Sequence, residues 1–166
     1  MRRAFDETRR EAPGIPAPLA ELIAEFEPLD RPRRMEQLLA WADEYEGVPP
    51  EVARSPFPEA NRAARCESKA YVFPQDRPDG TLDFYFGVES PHALSARVWA
   101  AILARTCSGQ PLEQVARLTE EAIYGVFGRE LSMGKEMGLV GISDLVTQAA
   151  RSRLAARRIQ GALEPK

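Results

Sequence analysis

Near the N-terminus, apolar residues recur at helical spacing. Leu19, Leu22, Ile23 and Phe26 predict a short helix that Pro28 ends. Met35, Leu38, Leu39, Ala42 and Tyr45 form a second stripe, with Asp30 as N-cap, Pro32 in the first turn and Gly47 at the end. Pro49, Pro50, Pro56 and Pro58 then rule out regular helix and leave an irregular loop leading into Cys66. Past Cys66 the pattern turns strand-like. Ala70 to Phe73 and Thr81 to Val88 are rich in β-branched and aromatic residues, and Pro74 to Gly80 between them reads as a turn. This predicts a hairpin, to which the stretch just before Cys66 is placed to add a short third strand.

Helical periodicity then returns. Ser90 and Pro91 are expected to start a helix with Leu94, Val98, Ala101 and Ile102 on one face. Ser108 to Pro111 break the chain before a short helix through Leu112, Val115 and Leu118. Thr119 is placed to cap another through Ile123 and Phe127, and Ser132 opens a long last helix with Leu139, Ile142, Val146 and Ala149 on its core face. Gly134, Gly138 and Gly141 weaken that helix near its start, so close packing or a bend is expected there. The order predicts an α+β domain, in which helices and a long C-terminal helix cover a small antiparallel sheet. Residues 1–18, with Pro13, Pro16 and Pro18, read as a flexible lead-in, and 19–160 as a single domain.

Composition narrows the chemistry more than the fold. At 166 residues the chain is long enough for a real core, and a net charge of −3 gives no global attraction to nucleic acid or anionic membrane. No apolar run is long enough for a bilayer, and Met1 to Pro18 has no continuous apolar segment of the secretory kind, so a cytoplasmic protein is expected. Two cysteines and one histidine exclude a closed zinc site or a cysteine-ligated iron–sulfur cluster within one chain. Any cysteine–histidine or serine–histidine catalysis would have to run through His92.

Cys66 lies where the proline-rich loop meets the first strand, a place where a side chain can be presented at a tip. Arg62, Arg65 and Lys69 are close in sequence and favour an anionic sulfur, while Glu67 opposes them. Attack of a thiolate on a sulfane sulfur needs little else in the acceptor. The same residues also fit a small buried apolar cysteine. Cys107, at the end of the Ser90 helix, reads as packing.

Two blocks add a resemblance. Arg65-Cys66-Glu67-Ser68-Lys69-Ala70-Tyr71-Val72 resembles the SufE/CsdE signature Gly-Cys-Gln-Ser-Gln-Val-Trp. Leu131-Ser132-Met133-Gly134-Lys135-Glu136-Met137-Gly138-Leu139 resembles that family's Leu-Ser-x-x-Arg-x-x-Gly-Leu. The likeness runs from about Leu19 to Leu154. It implies that Cys66 is a persulfide acceptor for a pyridoxal-phosphate cysteine desulfurase of the SufS type, sheltered until docking. It also implies that the sulfur passes to a scaffold complex of the SufBCD type. The carrier would then handle a cluster precursor, with no cofactor of its own and no nucleic-acid or membrane partner.

The departures are specific. Arg65 replaces a glycine, which predicts a stiffer and more positive loop; Glu67 and Lys69 replace glutamines; Tyr71 replaces tryptophan. Ser68 keeps the family residue, and Lys135 keeps the charge of the arginine it replaces without its planar fork. Arg65, Glu67, Ser68, Lys69 and Lys135 are therefore the expected partner-binding or thiolate-stabilising residues around Cys66. His92 reads as a capping or surface residue, Arg151, Arg153, Arg157 and Arg158 as a solvated basic face, and Trp41 and Trp99 as core. A non-catalytic helical adaptor and an independent thiol sulfurtransferase or peroxidase are the competing classes.

Overall fold

The expected helices and hairpin form in the expected order in a computed structural model, which describes residues 14–164. Helix α1 spans Ala17–Phe26 and α2 Arg31–Asp43; strands β1 (Ala70–Asp76) and β2 (Leu82–Val88) follow. Helices α3 (Leu94–Cys107), α4 (Leu112–Val115), α5 (Glu120–Phe127) and α6 (Met133–Leu163) complete the domain. Most of the lead-in lies outside the described residues, but Ala17 and Pro18 already form the first turn of α1, because a proline is tolerated there.

Asp30 caps α2 as expected, its carboxylate accepting from the Arg33 N–H at 3.0 Å. Of the predicted α2 stripe only Leu38 is fully buried; Met35 and Leu39 are exposed. Periodicity identified the apolar face, but α3 covers only part of it. The Ser90 cap is a second correction. Ser90 N–H donates to Ser68 O at 3.4 Å and Ala93 N–H to Ser90 O, so Ser90 to Ala93 make a turn and α3 begins at Leu94, itself exposed.

The hairpin is longer than its composition suggests. Pro74, Gln75 and Asp76 belong to β1, and Gly80, at φ 86°, sits in the turn. Pro74 is tolerated because it faces Phe84, whose N–H points away from β1 to Ser108 Oγ at 3.0 Å; no ladder bond is lost. The expected third strand is reduced to a single bridge, Arg62 with Tyr71, backed by Ala63 N–H on Ala70 O at 2.8 Å. The prolines before it allow no longer ladder.

The free edge of β2 is closed by side chains. The Tyr45 hydroxyl donates to Phe86 O at 3.1 Å and accepts from Val88 N–H at 2.8 Å. Helix α3 packs on β2 and α6 on β1, with α1 and α2 against α3. Trp99 is fully buried at that junction and donates to Ser143 Oγ at 2.8 Å. The basic end of α6 is not a plain solvated face. Arg153 grips Asp76 bidentately at 2.8 and 3.2 Å, Arg157 donates to Gly80 O, and Arg151 reaches Ala116 O. No helix among the described residues is long and apolar enough to cross a membrane.

Candidate functional site

Three chain segments meet at Cys66. The first is its own loop, from Asn61 to Lys69. Asn61 Nδ2 donates to Val72 O at 2.9 Å, anchoring the loop's start to β1. Phe57, just upstream, packs against Tyr71 and Phe73 with ring centroids 5.2 and 5.3 Å away. Tyr71 thus keeps the aromatic anchor that its place in the signature requires.

Two residues of this loop adopt left-handed backbone, Arg65 at φ 61° and Lys69 at φ 50°. Both carry side chains that strain there, by about 1 kcal/mol or more each. The glycine that Arg65 replaces would meet this geometry without strain. Arg65 therefore keeps the glycine-type backbone and adds a charge to it. The far end of the loop is held by three long hydrogen bonds. Lys69 N–H reaches Cys66 O at 3.4 Å, Ser90 N–H Ser68 O at 3.4 Å and Glu89 N–H Lys69 O at 3.3 Å.

The second segment is the start of α6. Ser132 caps it as expected, its Oγ accepting from Lys135 N–H at 3.4 Å. Of the three glycines, Gly138 and Gly141 give the close packing that their pattern predicted. A methyl on Gly138 would lie 3.4 Å from Cys66 Sγ, and one on Gly141 would collide with the Ala64 carbonyl. Gly134 has open space around it. The third segment is the Ser90 to Ala93 turn with the first residues of α3.

Together they border a half-open cavity of about 300 Å³ lined by Cys66, Ser68, His92, Ser95, Ser132 and Lys135, among others. Cys66 is only 6% exposed. The thiol is not presented at a tip; it faces inward onto α6. The free N–H groups at the start of a long helix and the Lys135 ammonium bring positive charge to this cavity. Glu67 lines it too and opposes them.

The expected site residues divide accordingly. Ser68, Glu67 and Lys135 share the cavity with Cys66, and Lys135 also borders a groove containing Met35, Leu94 and Arg34. Arg65 lies in a second, open hollow with Arg62 and Glu59, which Cys66 and Glu67 also border. Lys69 is exposed and lines neither. His92 is exposed, as its surface reading expects, but it also lines the same cavity as Cys66, which sequence reasoning missed because the turn that replaces the expected cap brings it there. Cys107 differs in every respect. It is fully buried, and burial pushes its thiol up to about 12.

The model of the SufE family, the Fe-S metabolism associated domain, matches residues 20–150. The chain belongs to the SufE family. The match includes the Cys66 loop, the Ser90 to Ala93 turn and the start of α6, so all three segments around the cavity lie within it. No curated protein matches by sequence. Among solved structures, the solution structure of a hypothetical protein from Thermus thermophilus is similar, with a TM-score of 0.69 at 22% identity. The match covers 85% of this chain and 98% of that one, and it carries the fold. An association with iron–sulfur metabolism follows for this SufE-family chain from its family.

Proposed function

We propose that the protein is a sulfur carrier. Cys66 takes persulfide sulfur from a pyridoxal-phosphate cysteine desulfurase, stimulates that enzyme, and passes the sulfur on to an iron–sulfur scaffold. The observation that carries this reading is the close approach of the 6% exposed Cys66, through its Sγ, to Gly138 of α6 in a cavity that Lys135 also lines. A sulfane sulfur added to Cys66 would be shielded there from oxidants and stray thiols. The desulfurase supplies the pyridoxal chemistry; the carrier contributes a nucleophile, a shelter and a way of opening it.

In the transfer, the Cys66 thiolate attacks the terminal sulfur of the donor persulfide. A new S–S bond forms, the donor's own S–S bond breaks, and the donor cysteine leaves as thiolate. Because Cys66 is buried, the loop must swing out first, and the long hydrogen bonds from Lys69, Glu89 and Ser90 are the ones that must break. Arg65, on the outer side of the loop, and Lys135, between cavity and groove, are the cations that a docked desulfurase would meet first. We place the carrier in the cytoplasm, where thiol buffers keep Cys66 and Cys107 reduced.

Desulfurase turnover, followed as alanine formed from cysteine in the presence of a thiol reductant, tests this reading. The wild-type protein accelerates it, whereas Cys66→Ser leaves the rate of the desulfurase alone. Stimulation that survives Cys66→Ser would instead favour a non-catalytic adaptor.

A further inference from the structure

The sole imidazole of the chain and its acceptor thiol line one cavity. The connection between them is short. Ser90 N–H binds Ser68 O, two residues from Cys66, and the turn that follows places His92 two residues from Ser90. His92 is exposed at this cavity, whose volume of about 300 Å³ holds on the order of ten waters, so a proton from the sulfur can reach the ring through water.

We infer that His92 handles the proton of the Cys66 sulfur during transfer, an inference that rests on the carrier reading above. Cys66 must lose a proton to attack, and the departing donor thiolate must gain one. His92 takes the proton from the Cys66 thiol while the sulfur is still in the cavity, before the loop swings out. The exposed ring passes that proton to water, and the departing donor thiolate takes one from water as the old bond breaks, so no proton is left over and no oxidant is needed.

The other titratable groups facing the cavity are Glu67 on the loop and Lys135 on α6; the α3 residues there, Ser95 and Ala96, and Ala93 just before them carry none. Of these side chains an imidazole is the one that commonly serves as both general acid and general base. Lys135 instead supplies fixed positive charge to the sulfur anion while the proton is on the ring.

One histidine in the chain makes the test direct, because its Hε1 and Hδ2 protons are the only imidazole signals to follow by NMR. Cys66 is loaded with sulfur by sodium polysulfide, without any desulfurase, and the imidazole signal is titrated in the loaded, unloaded and Cys66→Ser proteins. The loaded form carries an anionic persulfide, which favours imidazolium, so its titration moves to higher pH by about half a unit or more. In parallel, the rate of Cys66 alkylation by iodoacetamide is measured against pH for wild type and His92→Gln. The variant loses the step near neutrality that the wild type shows. Superimposed titrations, or a His92→Gln profile identical to wild type, would overturn the inference. Coupling between the two residues with no sulfur taken from a desulfurase would refute the carrier reading alone.

Discussion

Gly141 on α6 runs directly beneath the carbonyl oxygen of Ala64, closer than any side chain permits. The loop that carries Cys66 therefore rests on bare helix backbone, and the depth of the thiol depends on a missing methyl group. Gly141→Ala gains about 1 kcal/mol of helix propensity but forces the Ala64 to Cys66 backbone outward, at a cost of about 1–3 kcal/mol. We expect a net loss of stability in urea together with faster Cys66 alkylation. A variant that is stabilised with unchanged alkylation would show that the loop does not depend on this contact.

Tyr45 closes the open edge of β2 with a single hydroxyl that serves two backbone groups. Tyr45→Phe leaves Phe86 O and Val88 N–H without it and is expected to cost about 1–3 kcal/mol in chemical denaturation. Burial also pushes this hydroxyl up. The neutral form is the one the fold favours, so its contribution is complete below the ordinary tyrosine range near about 10 and is lost as pH rises through the raised value. The wild-type advantage over Tyr45→Phe should therefore shrink only in strong alkali.

Left-handed strain at Arg65 can be separated from its charge. Arg65→Ala removes the guanidinium and keeps a Cβ at φ 61°, whereas Arg65→Gly removes both. Relief of about 1 kcal/mol or more is offset by the chain entropy of glycine, about 0.5–1 kcal/mol. Thermal denaturation is expected to rank the glycine variant at or above the alanine variant. If alanine is clearly the more stable, the strained backbone is not a feature of the loop in solution.

Much of this was legible in the residues, for reasons that are local. Asp30 and Ser132 each hydrogen-bond the N–H three residues on, and the Leu139, Ile142 and Val146 stripe lies in the core as its spacing requires. What stayed hidden depends on neighbours distant in sequence. Met35, Leu39 and Leu94 have core-like spacing, yet they stay exposed. Arg153 and Arg157 have the spacing of a solvated face, but the hairpin turn lies against them. Within the site, Cys66 and Lys135 came from two short blocks, while His92 depended on a turn whose hydrogen bond to Ser68 has no sequence mark.

The two cysteines should separate cleanly by reactivity. Cys107, held up to about 12, has about four orders of magnitude fewer thiolates than thiols at pH 8. Native protein is expected to take one equivalent of iodoacetamide, on Cys66, and the second only after unfolding. Labelling of Cys107 in the native state would mean that the end of α3 opens readily.

Acceptance of sulfur by Cys66 can be read from mass. After incubation with a cysteine desulfurase and cysteine, intact mass and peptide mapping without reductant should show one added sulfur, located on the peptide containing Cys66 and absent from Cys66→Ser. Added sulfur on Cys107, or none on a protein that still stimulates the desulfurase, would contradict it.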